Sequence, residues 1–343
     1  MAKGTTGATL DEMRRILRDL PGPDLAAGDA TAAREAQLTK PAGALGRLEE
    51  LVHWLALWQG RHPPAIGHPR VAVFAGNHGV ASLGVSAYPA EVTEQMVQNF
   101  IAGGAAVNQL CKAADADLRV YEMALDRPTA DFTQGPAMTE ADCATAIAYG
   151  MMAVEPGVDL LALGEMGIGN TCSAAALCCA LFGGSARDWV GPGTGVTGET
   201  LQRKIEAVEA GVALHRAETA EPFEVLRRLG GREFAAIIGA IMAARQAKVP
   251  VVLDGYACTA AAAVLHAADR HALDHCIVAH RSAEPGHARL LEKLAKTPLF
   301  DFGMRLGEAS GAALAIGILK SAIACHTGMA TFAEAGVSGK AEG

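Results

Sequence analysis

The chain has 343 residues, with 29 Lys and Arg against 37 Asp and Glu for a formal charge of −8; half of it is hydrophobic but only 5% is aromatic. That length suffices for one large core with a smaller subdomain, or for two domains. The acidic balance, with no basic run or aromatic-interleaved basic stripe, excludes nucleic acid as a partner, and an abundance of small residues favours close helix-on-sheet packing over a β-sandwich.

In chain order, apolar positions at helical spacing predict helices at 10–20 and 44–59, the second through Leu45, Leu48, Leu51, Val52 and Leu55. The segment Thr39-Lys40-Pro41-Ala42-Gly43 reads as the turn between them. After a Pro-rich stretch at 61–69, short apolar runs at 71–75, 118–123, 159–163, 249–253 and 276–279 read as strands, each separated from the next by alanine-rich, helix-like sequence. Such alternation marks βαβ units, so the fold class is α/β with a mainly parallel sheet flanked by helices. A last helical stretch at 308–326 is long enough to pack on the sheet or against the N-terminal helices. The second arrangement gives a small helical subdomain from both chain ends, 1–60 plus 308–330, beside an α/β domain at 70–307. The Gly-, Ala- and Ser-rich tail at 333–343 is predicted to be disordered.

The eight cysteines are scattered without a C-x-x-C pair, and they read as small buried hydrophobes of a reducing compartment. The opening residues lack an apolar signal core, and Lys320 interrupts the apolar run after Gly311, so the expectation is a cytoplasmic protein without a membrane span. His266, His271 and His275 do not fall at zinc-ligand spacing and read as decorating one helix and its exit. The Asp301-Phe302-Gly303 triplet matches a kinase motif by chance, because no catalytic-loop or strand-lysine motif accompanies it.

Three loops carry chemistry. Gly164-Glu165-Met166-Gly167-Ile168-Gly169-Asn170-Thr171 follows a strand and precedes a helix at 172–182, where backbone N–H groups and a helix N-terminus suit an anion. Its glycine spacing is not that of the dinucleotide fingerprint, and the Gly-Lys-Ser/Thr ending of a P-loop is missing. A second glycine loop, Gly191-Pro192-Gly193-Thr194-Gly195, precedes a helix carrying Lys204, a candidate phosphate partner. Third, Glu308 stands among small and apolar residues in Met304-Arg305-Leu306-Gly307-Glu308-Ala309-Ser310-Gly311. A carboxylate with so little charge around it is costly to bury without a task or a partner.

Together with Asn77-His78-Gly79-Val80, Gly84-Val85-Ser86-Ala87-Tyr88-Pro89, Leu253-Asp254-Gly255-Tyr256 and Ser282-Ala283-Glu284, these loops resemble the nicotinate-nucleotide:dimethylbenzimidazole phosphoribosyltransferase family. The resemblance runs from Lys40-Pro41-Ala42-Gly43-Ala44-Leu45-Gly46-Arg47-Leu48-Glu49 to about residue 326. It implies a homodimer with its active site at the C-terminal edge of a parallel sheet, and a reaction in cobalamin lower-ligand assembly that needs no metal or cofactor. By resemblance Glu308 is the catalytic glutamate and Glu165 a second active-site carboxylate. Gly167, Ile168, Asn170, Thr171, Gly193, Lys204, Asp254 and Ser282 hold the phosphate and ribose of nicotinate mononucleotide, and Tyr88, Met96 and Leu306 line the base pocket for 5,6-dimethylbenzimidazole. The chain departs from the family at Tyr88 and Met96, where a small hydroxyl residue and a glutamine are expected, and at Asn77, where aspartate is common.

The implied chemistry needs one base. Nicotinate leaves from a pyridinium nitrogen and takes no proton, so Glu308 has only to remove the N–H proton of the benzimidazole as its other nitrogen attacks C1′ through an oxocarbenium-like transition state. Two readings compete. A pyrophosphate-donor phosphoribosyltransferase relies on Mg²⁺ and a vicinal acidic pair, and no Asp-Asp pair occurs here. A non-catalytic benzimidazole- or nucleotide-binding module has little reason to keep Glu308, Glu165 and Lys204 together.

Overall fold

The computed structural model describes residues 7–339. Five parallel strands, β1 (Pro69–Ala75), β2 (Asp117–Glu122), β3 (Leu160–Met166), β4 (Val251–Leu253) and β5 (Cys276–Val278), form one sheet in the order β2-β1-β3-β4-β5. All five expected strands are present. β1, β3, β4 and β5 are nearly continuous apolar sequence because both of their faces are covered, whereas edge strand β2 alternates apolar and polar residues and is only partly buried.

Each strand divides its side chains with a period of two. Ala72, Phe74, Leu161, Leu163, Val251, Leu253, Cys276 and Val278 enter one apolar layer, while Val71, Val73, Leu160, Ala162, Val252 and Ile277 enter the other. Helices such as Glu140–Met151, Asn170–Phe182, Arg232–Gln246 and Tyr256–Ala268 cover the first face; Arg47–Gln59, Val92–Ala102, Ala106–Ala114 and Ser310–Gly328 cover the second. Small residues permit the close approach. Gly150 and Gly239 sit where any Cβ would strike the backbone of the facing helix, which locks Glu140–Met151 against Arg232–Gln246.

The chain ends do not keep to one layer. Helix Leu10–Arg18 packs on Glu140–Met151 through Leu10, Met13 and Leu17. Helix Leu25–Glu35, which periodicity does not predict, packs on Arg47–Gln59. Helix Ser310–Gly328 joins that group, where Arg34 Nε donates to the His326 carbonyl at 2.9 Å, and it also closes over the sheet. By length and composition this helix is apolar enough to cross a membrane, but Ala312, Ala313, Ala315, Ile316, Leu319 and Ala322 are spent on the core.

Two expectations change. Residues 332–335 form a short helix capped by Thr331, in place of the disorder expected from residue 333; 340–343 lie outside the described residues. His275 does not decorate a helix exit: it is fully buried ahead of β5, with Nε2 donating to the Ile241 carbonyl at 3.0 Å, while exposed His271 lies in the preceding turn. Seven of the eight cysteines are buried and all eight are unpaired.

Candidate active site

Strand order reverses between β1 and β3, and such a switch point leaves a crevice beyond the strand C-termini. A cavity of about 690 Å³ opens there, lined from the ends of β3, β4 and β5 and from the segments Tyr88–Met96 and Arg305–Glu308. Helices Asn170–Phe182, Tyr256–Ala268 and Pro285–Leu294 all begin at its wall, so three positive helix ends face one space. That field favours an anionic ligand.

Glu308 is 7% exposed and lines the cavity. It precedes helix Ser310–Gly328 within three successive left-handed residues, Gly307, Glu308 and Ala309, at φ 79°, 61° and 59°. A non-glycine side chain in this region costs roughly 1–2 kcal/mol, which the surrounding contacts must offset. Burial is the only resolved cause acting on its carboxyl and pushes it up to about 7. Such a group is a proton acceptor poised near neutral pH.

Glu165, near the end of β3, is 8% exposed and shares the cavity wall. Its Oε2 accepts from Asn170 Nδ2. Burial first, then the charges of Asp254 and Glu233, push its carboxyl up to about 8 despite that amide. Asp254 is fully buried and does not line the cavity. Its Oδ1 accepts from the Ala312 N–H at 2.9 Å, so it caps helix Ser310–Gly328 and thereby supports the Glu308 turn. Burial pushes it up to about 7, against the backbone hydrogen bonds that favour its charge.

Lys204 is 1% exposed, beneath the cavity floor. Its Nζ donates to Thr171 Oγ1 at 2.7 Å and to the Gly191 carbonyl at 2.9 Å, and burial lowers its pKa. Among the described residues it has no carboxylate within ion-pair distance. Both glycine loops meet at this ammonium: Gly193, at φ 54°, passes so close that a Cβ would lie 2.9 Å from Nζ. Gly193 N donates to Glu284 Oε1 at 2.8 Å and its carbonyl accepts from Arg305 Nη1 at 3.0 Å.

The structure therefore brings Glu308, Glu165, Gly167, Ile168, Asn170, Thr171, Gly193 and Ser282 to one wall, with Lys204 and Asp254 behind it. Tyr88, Met96 and Leu306 line the mouth; Tyr88 and Leu306 are 56% and 55% exposed. Ser86 Oγ and Thr194 Oγ1 lie 3.0 Å apart and join the Tyr88 segment to the second glycine loop. Arg305, Glu284 and His280 also line the cavity, and sequence reasoning assigns them no role. Arg305 has a signal in sequence, as the nearest cation to Glu308 in the same run.

Residues 20–337 match the phosphoribosyltransferase family DBI_PRT. The chain is 62% identical over 335 residues to the nicotinate-nucleotide–dimethylbenzimidazole phosphoribosyltransferase of Rhizobium meliloti (strain 1021), covering 98% of this chain and 99% of that one. It is 59% identical over 334 residues to the protein of the same name from Brucella anthropi, at 97% and 98% coverage. A crystal structure of the same-named protein from Thermus thermophilus superposes with a TM-score of 0.85 at 42% identity, covering 92% of this chain and 100% of that one. A second, of CobT from the same organism, gives 0.86 at 43% identity, with 91% and 99% covered.

Proposed function

The chain belongs to the nicotinate-nucleotide–dimethylbenzimidazole phosphoribosyltransferase family and transfers a phosphoribosyl group from nicotinate nucleotide to dimethylbenzimidazole, and we propose that Glu308 is the general base of that transfer. The product belongs to cobalamin lower-ligand assembly. The observation that carries the assignment is a cavity-facing carboxyl whose only resolved perturbation is burial, fixed by a left-handed turn that an Asp254 cap supports.

In this reading the phosphate of nicotinate mononucleotide lies over Thr171 and Gly193, facing the Lys204 ammonium and a helix N-terminus. The bond from C1′ to the pyridinium nitrogen breaks, its electron pair neutralising that nitrogen, as a benzimidazole nitrogen bonds to C1′ from the opposite face. Glu308 takes the proton from the other benzimidazole nitrogen. A base of this kind contributes on the order of 10² to 10⁴-fold, and alignment of two bound substrates supplies much of the rest. Attack from the opposite face turns a β-nucleotide into α-ribazole 5′-phosphate. Following nicotinate release and assigning the product anomer by NMR tests the scheme; a β-product overturns in-line attack. Activity is expected to persist in EDTA.

The assembly is read as a cytoplasmic homodimer. Supporting it are the exposed apolar side chains of Tyr88 and Leu306 at the cavity mouth and of Phe302, at 70% exposure. Sedimentation should give twice the 35.3 kDa chain mass, and a monomer at assay concentration would overturn it.

A further inference from the structure

The second glycine loop carries Thr194 at its tip. The N–H groups of Gly195 and Val196 both donate to the Pro192 carbonyl at 2.9 Å, which closes a tight turn, and Thr194 stands between two left-handed glycines, Gly193 at φ 54° and Gly195 at φ 101°. Val196 is buried, whereas Thr194 lines the cavity. A threonine hydroxyl offers one O–H and two lone pairs. Here Oγ1 accepts from the Ala87 N–H at 3.0 Å and lies 3.0 Å from Ser86 Oγ, and that Ser86 oxygen accepts from the Tyr88 N–H at 3.2 Å.

This contact anchors the Tyr88 segment. Between the 3₁₀ turn Gly79–Leu83 and helix Val92–Ala102, Val85 is buried while Ala87, Tyr88 and Pro89 are exposed. Among the described residues, the bonds at Thr194 are the only hydrogen bonds that tie Ser86, Ala87 and Tyr88 to another part of the chain. The place of Tyr88 is thus set by a loop 107 positions beyond Ala87.

The same loop belongs to the donor side. Gly193 is buried, and a Cβ on it would lie 2.6 Å from Thr171 Oγ1 and 2.9 Å from Lys204 Nζ. Its N–H is committed to Glu284 and its carbonyl to Arg305, in the run that ends at Glu308. One dipeptide therefore meets the phosphate site through Gly193 and the base pocket through Thr194.

We propose that Thr194 is a positioning residue that couples the two substrates: a donor phosphate seated against Gly193 fixes the loop, Thr194 transmits that order to the Tyr88 segment, and the acceptor binds more tightly once the donor is in place. The proposal rests on the reading that nicotinate mononucleotide lies at Gly193 and dimethylbenzimidazole at Tyr88. A glycine-flanked residue has much backbone freedom to lose, so whichever substrate fixes the loop first relieves the second of that cost. By linkage the coupling is reciprocal.

The test measures nicotinate release over a grid of donor and acceptor concentrations, and binding of nicotinate mononucleotide alone by calorimetry, for wild type, Thr194→Val, Thr194→Ser and Ser86→Ala. In wild type the KM for dimethylbenzimidazole should fall about tenfold as the donor rises from far below its own KM to saturation. Valine keeps the branched shape but neither accepts from Ala87 nor meets Ser86. In Thr194→Val the acceptor KM should stay at its low-donor value throughout, with affinity for nicotinate mononucleotide alone within about twofold of wild type. Thr194→Ser keeps the hydroxyl and should restore the donor dependence. A wild-type acceptor KM that ignores the donor overturns the proposal, as does a Thr194→Val enzyme that keeps the dependence or that loses donor affinity along with it. Should Thr194→Val not fold, Ser86→Ala decides: a weakened donor dependence supports the coupling, and an unchanged one overturns it. No nicotinate release by wild type would instead remove the reading on which the proposal rests.

Discussion

The Glu308 backbone N–H donates to the Glu165 carbonyl at 3.2 Å, so the two cavity carboxylates are held by one main-chain link. The link joins the end of β3 to the turn before the last helix, and it uses neither carboxyl. Glu308→Gln keeps this link and the side-chain shape but cannot accept a proton. Turnover should fall by at least about a hundredfold with both KM values within roughly threefold. Near-normal kcat in stopped assays of nicotinate release would remove Glu308 as the base.

Lys204→Ala deletes the ammonium between Thr171 and Gly191. A charge-assisted hydrogen bond to an anion is worth about 1.5–3 kcal/mol, so KM for nicotinate mononucleotide should rise on the order of tenfold to a hundredfold. The acceptor KM should barely move. Equal effects on both substrates would mean that Lys204 only supports the two glycine loops.

At the cavity mouth, Tyr88 and Met96 offer a ring and a thioether to a flat acceptor without fixing one hydrogen-bond pattern. Dimethylbenzimidazole and benzimidazole should both be used well and adenine poorly, since each unmet ring nitrogen costs roughly 1–3 kcal/mol. Tyr88→Ala should lower kcat/KM for the benzimidazoles about tenfold. If adenine rivals them in wild type, or if the substitution leaves all three unchanged, the ring does not meet the base.

Stability should depend on pH in the direction set by the raised carboxyls. Glu165, Asp254 and Glu308 sit at about 8, 7 and 7 in the folded chain, above ordinary values of 4.5, 3.8 and 4.5. The folded state therefore holds protons that the unfolded chain has released. The stability this gives is complete below the unfolded values and is lost as pH climbs through the folded ones. The melting temperature should drop between about pH 5 and pH 8.5, and Glu165→Gln should recover a few degrees of that drop. A melting temperature that rises over this interval would contradict the dominance of burial over hydrogen bonding at these groups.

Much of this is legible in the chain. Four of the strands are short apolar runs because they are buried on both faces, and edge strand β2 shows instead as an alternation of Leu118, Val120 and Tyr121 with charged residues. Helix Leu25–Glu35 leaves none, because the side it buries carries Ala27, Gly28 and Thr31 rather than a leucine stripe. The glycine loops and Glu308 stand out because glycine spacing and an isolated charge are local signals. Asp254, expected among the ligand contacts, instead caps a helix, because its partner Ala312 lies 58 positions away. Glu233 is invisible for the same reason: a carboxylate in a helical stretch reads as solvated until the fold sets His78 against it.

Gly307, Glu308 and Ala309 bear on how this enzyme can be engineered. Only the first of these left-handed positions is a glycine, so replacing either of the others by glycine should relieve a local penalty. A library ranked by heat resistance alone would favour such replacements. Glycine at 308 deletes the carboxyl proposed as the base, and glycine at 309 loosens the turn that carries it. Selection for robustness at this turn would therefore select against turnover, and thermostable variants should be sought among the other loops.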